Sequence, residues 1–231
     1  MASDPEVVFL HGQPGKKEDF ALVLRWMDPK TRIVSVDRPG WGSNPLAVAG
    51  IEANANWVLD QFDSPQVVLI GHSLGATIAV RAAQLEQGRV AGLVLVSPPV
   101  TQTSLVAIDR LLAARFLGDM TSALIAGASL GPARHSQFGR TRRSFLAEQR
   151  HLMAELRLVE GQLADVHCPA VVVAGLRDRV VPLASMVHAA DQLPLASLTV
   201  LPDAGHDILH SAPIALATVI RSFLRRLRVS G

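Results

Sequence analysis

Tyrosine is absent from this chain of 231 residues, and cysteine occurs once, at Cys168. One cysteine excludes an internal disulfide and a thiolate metal site. It stands before Pro169 at the entrance of an apolar run, where a small buried thiol is the expected role. Net charge is almost absent as well: 22 Lys and Arg face 20 Asp and Glu. No Lys/Arg-rich block is interleaved with aromatics, so the footprint of a nucleic-acid-binding surface is missing. No apolar run approaches the roughly 20 residues that a membrane helix needs. The acidic start, Met1-Ala2-Ser3-Asp4-Pro5-Glu6, lacks the basic region and apolar core of a secretion signal. The expectation is a cytoplasmic protein with neither a membrane nor a nucleic-acid partner. Nothing in the sequence reports its oligomeric state.

What is plentiful is apolar residues, 49% of the chain, enough for the core of one sizeable domain. Six runs rich in Val, Ile and Leu read as strands: Val7–Leu10, Arg32–Val36, Val67–Ile70, Val90–Val96, Ala170–Ala174 and Leu198–Leu201. Near-continuous apolar runs are typical of strands buried on both faces. Helical patterns alternate with them, near Glu18–Trp26, Ile51–Phe62, Ala76–Ala83, Leu183–Leu193 and Pro213–Leu227. This alternation predicts an α/β fold with a doubly wound, mainly parallel sheet of about six strands. Ligand sites in such sheets form at the carboxyl ends of the strands.

The alternation breaks between Thr101 and Asp165. Leu105, Ile108, Leu111 and Leu112 follow helical spacing, as do Phe145, Leu146, Met153, Leu156 and Val159. Gly131-Pro132 marks a break between helical pieces. The segment 101–165 is therefore expected to be a helical cap inserted into a core of 1–100 and 166–231. The alternative is that these helices belong to the core layers.

The chemistry-bearing residues stand at predicted strand ends. Gly71-His72-Ser73-Leu74-Gly75 closes the third strand and opens a helix, the signature of a nucleophile elbow. The turn is so sharp that neighbouring side chains would clash, and Gly71 and Gly75 remove them. Ser73 would then sit at a helix N-terminus that favours developing negative charge. A serine hydroxyl needs a base, and His206, in a glycine-containing loop beyond the last strand, is the candidate. The base needs a carboxylate to set its tautomer. Asp178 follows the fifth strand, whereas the loop after the fourth, Ser97-Pro98-Pro99, offers no acid. Asp203 and Asp207 read as loop-capping groups. The chain order Ser73, Asp178, His206 is that of an α/β serine hydrolase triad. The backbone N–H groups of Gln13 and Leu74 would form the oxyanion hole. His11 is expected to shape its loop and His72 to pack or line the site.

With these motifs the chain resembles the α/β-hydrolase superfamily, through His11-Gly12-Gln13-Pro14-Gly15, Asp37-Arg38-Pro39-Gly40-Trp41-Gly42, Gly71-His72-Ser73-Leu74-Gly75, Asp178 and His206. The resemblance covers nearly the whole chain and implies that the Asp37–Gly42 loop is structural and borders the pocket. Family members often begin with two further strands, so the sheet edge here is expected to be more exposed. A serine in place of a nucleophilic aspartate, and the lack of cap tyrosines, weaken any likeness to dehalogenases and epoxide hydrolases. The implied function is a serine hydrolase that cleaves an ester or similar activated acyl bond of a small-molecule substrate, with no metal or organic cofactor. The alternative is a C–C bond hydrolase or lyase on a keto acid, whose carboxylate Arg134, His135, Arg140, Arg142 or Arg143 would hold. A non-catalytic binding protein of the same fold is the third reading; such proteins usually lack a triad member, and all three are present here.

Overall fold

The computed structural model describes residues 5–104 and 135–230. The apolar runs form β1 (Glu6–Leu10), β2 (Ile33–Val36), β3 (Val67–His72), β4 (Val90–Val96), β5 (Ala170–Gly175) and β6 (Ala196–Leu201). All six pair in parallel in the order β2-β1-β3-β4-β5-β6. The helices are α1 (Ala21–Leu24), α2 (Ile51–Asp60), α3 (Leu74–Leu85), α4 (His135–Gln149), α5 (Leu152–Gly161), α6 (Leu183–Gln192), α7 (Ile208–Ser211) and α8 (Pro213–Ser230).

Alternate strand residues separate into two cores, because successive side chains point to opposite faces. Val8, Leu10, Leu69, Leu93, Leu95 and Val172 pack with α2, α3, α5 and α6. Val7, Phe9, Val68, Ile70, Val94, Val96, Val171 and Val173 pack with α1, α7 and α8. Both faces are covered, which is the doubly wound arrangement. The helix expected over Glu18–Trp26 is divided into a 3-10 turn, Lys17–Phe20, and α1.

The strand order reverses between β1 and β3, where Leu10 pairs with Gly71. The loop after β1 thereby lies beside the turn after β3. This is the crevice at which open α/β sheets bind ligands.

Of the segment 101–165, residues 105–134 lie outside the described residues, and with them Leu105, Ile108, Leu111, Leu112, Gly131-Pro132 and Arg134. The helix α5 packs against α2 and α3. Its Leu152, Leu156 and Val159, followed by Leu163 and Val166, join the core on that face. The apolar spacing around Leu156 and Val159 therefore serves a core layer. The helix α4 precedes it, with Ser144, Phe145, Glu148 and Gln149 buried.

Candidate active site

The turn from β3 into α3 holds Ser73 at φ 51°, a backbone that L-residues rarely adopt. The flanking glycines explain how the chain reaches it. A Cβ on Gly71 would lie 2.4 Å from the backbone of Ala76, and one on Gly75 2.2 Å from the Leu10 carbonyl oxygen. The first glycine lets the helix fold back on its strand. The second lets α3 approach β1. The Ser73 N–H is tied to the Val96 carbonyl at 2.8 Å.

The loop after β6 brings His206 to this turn. His206 Nδ1 donates to Asp178 Oδ2 at 2.9 Å, which leaves Nε2 to accept from the Ser73 hydroxyl at 3.1 Å. Asp178 follows β5, and its other oxygen accepts the Val180 and Val181 N–H groups at 2.8 and 2.9 Å. Burial works against its charge. The hydrogen bond and charge of His206 and the two backbone donors outweigh burial and hold the Asp178 carboxyl below the usual range. A Cβ on Gly175 would lie 2.4 Å from the Gly205 carbonyl oxygen, so this glycine lets the two loops meet. The three residues singled out in the sequence thus form one hydrogen-bonded chain, Asp178–His206–Ser73. Asp203 instead pairs with Arg177 on the surface, and Asp207 with His210.

Gly12 closes the other side: a Cβ there would lie 2.9 Å from Ser73 Cβ. Among the described residues, neither the Gln13 N–H nor the Leu74 N–H has a protein acceptor. Free backbone donors beside a nucleophile are suited to an oxyanion. His11 Nδ1 donates to the Gly12 carbonyl at 2.8 Å, so its Nε2 accepts the Arg38 N–H at 3.1 Å. Burial, reinforced by the Arg38 charge, pushes the His11 imidazole down to about 3. His11 is therefore a neutral strut.

Four further residues brace the site: His72 and Arg38, which the sequence places in packing and structural roles, and Ser97 and Glu148, for which it gives no role. His72 Nε2 donates to the His206 carbonyl at 3.0 Å, and burial followed by the nearby His206 brings its imidazole down to about 4. Ser97, at the end of β4, has φ 48° and donates to the same carbonyl at 3.5 Å. Arg38 is fully buried and pairs with Glu148 of α4. Burial pushes the Glu148 carboxyl up, against the pull of Arg38 and Trp41. The Asp37–Gly42 loop is braced by Asp37, which accepts Lys17 N–H and both Ser43 donors at 2.8 Å each.

Of the basic residues in the helical segment, Arg140 donates to the Asn44 carbonyl and Arg143 is exposed. A cleft of about 570 Å³ runs between Lys17, Trp41 and Arg140, and its lining includes none of Ser73, Asp178 or His206. Cys168 is half-buried, and burial pushes its thiol up to about 11. Among the described residues no cluster of His, Cys, Asp and Glu side chains is arranged to hold a metal, and no helix is long and apolar enough to cross a membrane.

A sequence profile described as "Alpha/beta hydrolase family" matches residues 7–219. The chain belongs to the alpha/beta hydrolase family. It is a hydrolase of that family, and its curated relatives include esterases. A pimeloyl-[acyl-carrier protein] methyl ester esterase of Methylococcus capsulatus is 30% identical, over 78% of this chain and 78% of that protein. One of the same name from Chromobacterium violaceum is also 30% identical, over 89% of each. An abhydrolase domain-containing protein of Schizosaccharomyces pombe is 31% identical over 45% of this chain, a match that spans only 33% of that longer protein. Among solved structures, a haloalkane dehalogenase from Bradyrhizobium elkani superposes with TM-score 0.78 at 16% identity, over 100% of this chain and 93% of the other. A thermophilic esterase from Thermogutta terrifontis gives 0.70 at 23%, over 98% and 92%. At these identities the structural likeness shows the shared fold.

Proposed function

We propose that this hydrolase cleaves carboxylic esters through an acyl-enzyme on Ser73. The observation that carries the reading is the unbroken hydrogen-bonded chain from Asp178 through His206 to a serine held at positive φ. His206 Nε2 takes the hydroxyl proton as Ser73 Oγ attacks the ester carbonyl carbon. The carbonyl oxygen becomes an oxyanion and accepts the Gln13 and Leu74 N–H groups. Asp178 stabilises the imidazolium. His206 then gives its proton to the departing alkoxide, which leaves as the alcohol. Water attacks the acyl-enzyme with His206 again as base, and Ser73 leaves with the proton as the carboxylic acid is released.

The substrate class we infer is an ester of a small alcohol, a reading supported by the methyl ester esterases among the relatives. Within the segment 101–165, the part that precedes α5 is proposed to cover the strand ends above Ser73, α5 itself being packed in a core layer.

The test is turnover of a panel of methyl and p-nitrophenyl esters beside carboxylate-bearing ketones, with Ser73→Ala as control. Ester cleavage lost in Ser73→Ala is the expected result. Cleavage of the ketones alone by folded protein would move the function to C–C bond hydrolysis.

A further inference from the structure

We propose that Arg38 is a positioning residue that aims the Gln13 N–H at the oxyanion, and that Glu148 of α4 clamps it in place. The inference rests on the reading of Ser73 as nucleophile and extends it to the device that keeps the oxyanion site formed.

The Arg38 side chain is fully buried, and each nitrogen of its guanidinium is used. Nε donates to the His11 carbonyl at 3.0 Å and Nη2 to the Gly12 carbonyl at 2.9 Å. Nη1 donates to Glu148 Oε1, and Nη2 reaches Glu148 Oε2 at 3.4 Å. Its carbon lies 5.5 Å from the centre of the Trp41 ring. A planar fork with fixed donor directions holds two carbonyls and a carboxylate in one geometry.

The consequence falls on one peptide group. The Gly12 carbonyl takes two donors, Arg38 Nη2 and His11 Nδ1 at 2.8 Å. In a trans peptide the C=O and N–H point in opposite directions. Holding the Gly12 oxygen on Arg38 therefore directs the Gln13 N–H away from Arg38, where among the described residues it has no protein acceptor. Gly12 is packed against Ser73, so this is the peptide that borders the nucleophile. Were it to rotate, a carbonyl oxygen would replace the donor and repel an oxyanion. Glu148 lies 110 residues away in sequence, on a helix of the segment expected to cover the site. Its carboxylate sets the rotation of the guanidinium, so the position of α4 and the aim of the Gln13 N–H are mechanically joined.

Arg38→Lys keeps a positive charge but not the fork. It is expected to lower kcat for a p-nitrophenyl ester by about 30-fold or more, approaching the range of about 10²–10³ for complete loss of an oxyanion donor. KM should stay within about threefold, and affinity for a trifluoromethyl ketone, which forms a tetrahedral oxyanion on the serine, should fall in step with kcat/KM. A merely structural role would lower the melting temperature without that split. If Arg38→Lys does not fold, Glu148→Gln carries the test, with the same split and a loss of about three- to tenfold. A folded variant of either kind with wild-type kcat and wild-type ketone affinity would overturn the proposal. Should Ser73→Ala keep full turnover, the reading of the nucleophile fails instead. Should Ser73→Ala be inactive while Arg38→Lys runs at full speed, only the positioning role fails.

Discussion

Acidification should unfold this protein partly through one histidine. His11 has no exposed surface, its ring is committed to the Gly12 carbonyl and the Arg38 N–H, and burial brings it down to about 3. An unfolded chain protonates the same imidazole near its ordinary value of about 6.5. Between those values the unfolded state binds the proton and the fold refuses it, so stability falls as pH falls. From pH 7.5 to 4.5 the single site costs about 2.7 kcal/mol, a large part of the 5–15 kcal/mol typical of a folded domain. Raised carboxyls such as Asp19 and Glu155 act in the opposite sense, because their folded forms bind protons first. Comparison with His11→Gln removes them from the balance, since both proteins share them. Urea unfolding of the two proteins at pH 7.5, 6.5, 5.5 and 4.5 gives the difference in stability at each pH. That difference, wild type minus variant, should shrink by about 2.7 kcal/mol across the range. A difference constant to within about 0.5 kcal/mol would refute a neutral, buried His11.

Other expectations follow from the same contacts. Asp178→Asn should lower kcat by about 10⁴, whereas Asp203→Asn, which loses only an exposed partner of Arg177, should leave ester turnover within about twofold. Steady-state rates on a p-nitrophenyl ester separate the two. Ser73→Ala and His206→Ala should each cost about 10⁴–10⁶, and the double variant little more, because the groups act as a unit. Gly75→Ala would place a Cβ 2.2 Å from the Leu10 carbonyl and 2.6 Å from that of His11, both backbone atoms. It should destabilise by about 3 kcal/mol or more, far beyond the gain of about 1 kcal/mol from helix propensity. At Gly161 a Cβ would meet nothing within 4 Å, so Gly161→Ala should stabilise by about 0.5–1 kcal/mol. Urea midpoints check both.

The sheet was legible because its strands are buried on both faces and so appear as unbroken runs of Val, Ile and Leu. The turn at Ser73 was legible because only glycine fits where Gly71 meets Ala76 and Gly75 meets Leu10. Asp178 and His206 could be located because each follows a strand and a glycine frees its loop. Other features leave no local trace. Arg38 stands in a loop the sequence marks as structural, but nothing in the sequence joins it to Glu148, 110 residues away; only the fold buries the two together. The four-residue helix α7 spans barely one helical turn, too short for an amphipathic pattern to repeat. The apolar spacing of Leu152, Leu156 and Val159 is the same for a helix over the strand ends as for one packed on α2 and α3. Ser97 at positive φ carries no glycine to announce it.

The central claim is that Ser73 is an activated nucleophile. Its most direct test is intact-mass spectrometry of the folded protein after exposure to a small fluorophosphonate, followed by peptide mapping. The account predicts one phosphonyl adduct per chain, on Ser73, absent from Ser73→Ala and much slower in His206→Ala. Folded protein that gains no adduct, or a Ser73→Ala variant labelled as fast as wild type, would contradict it.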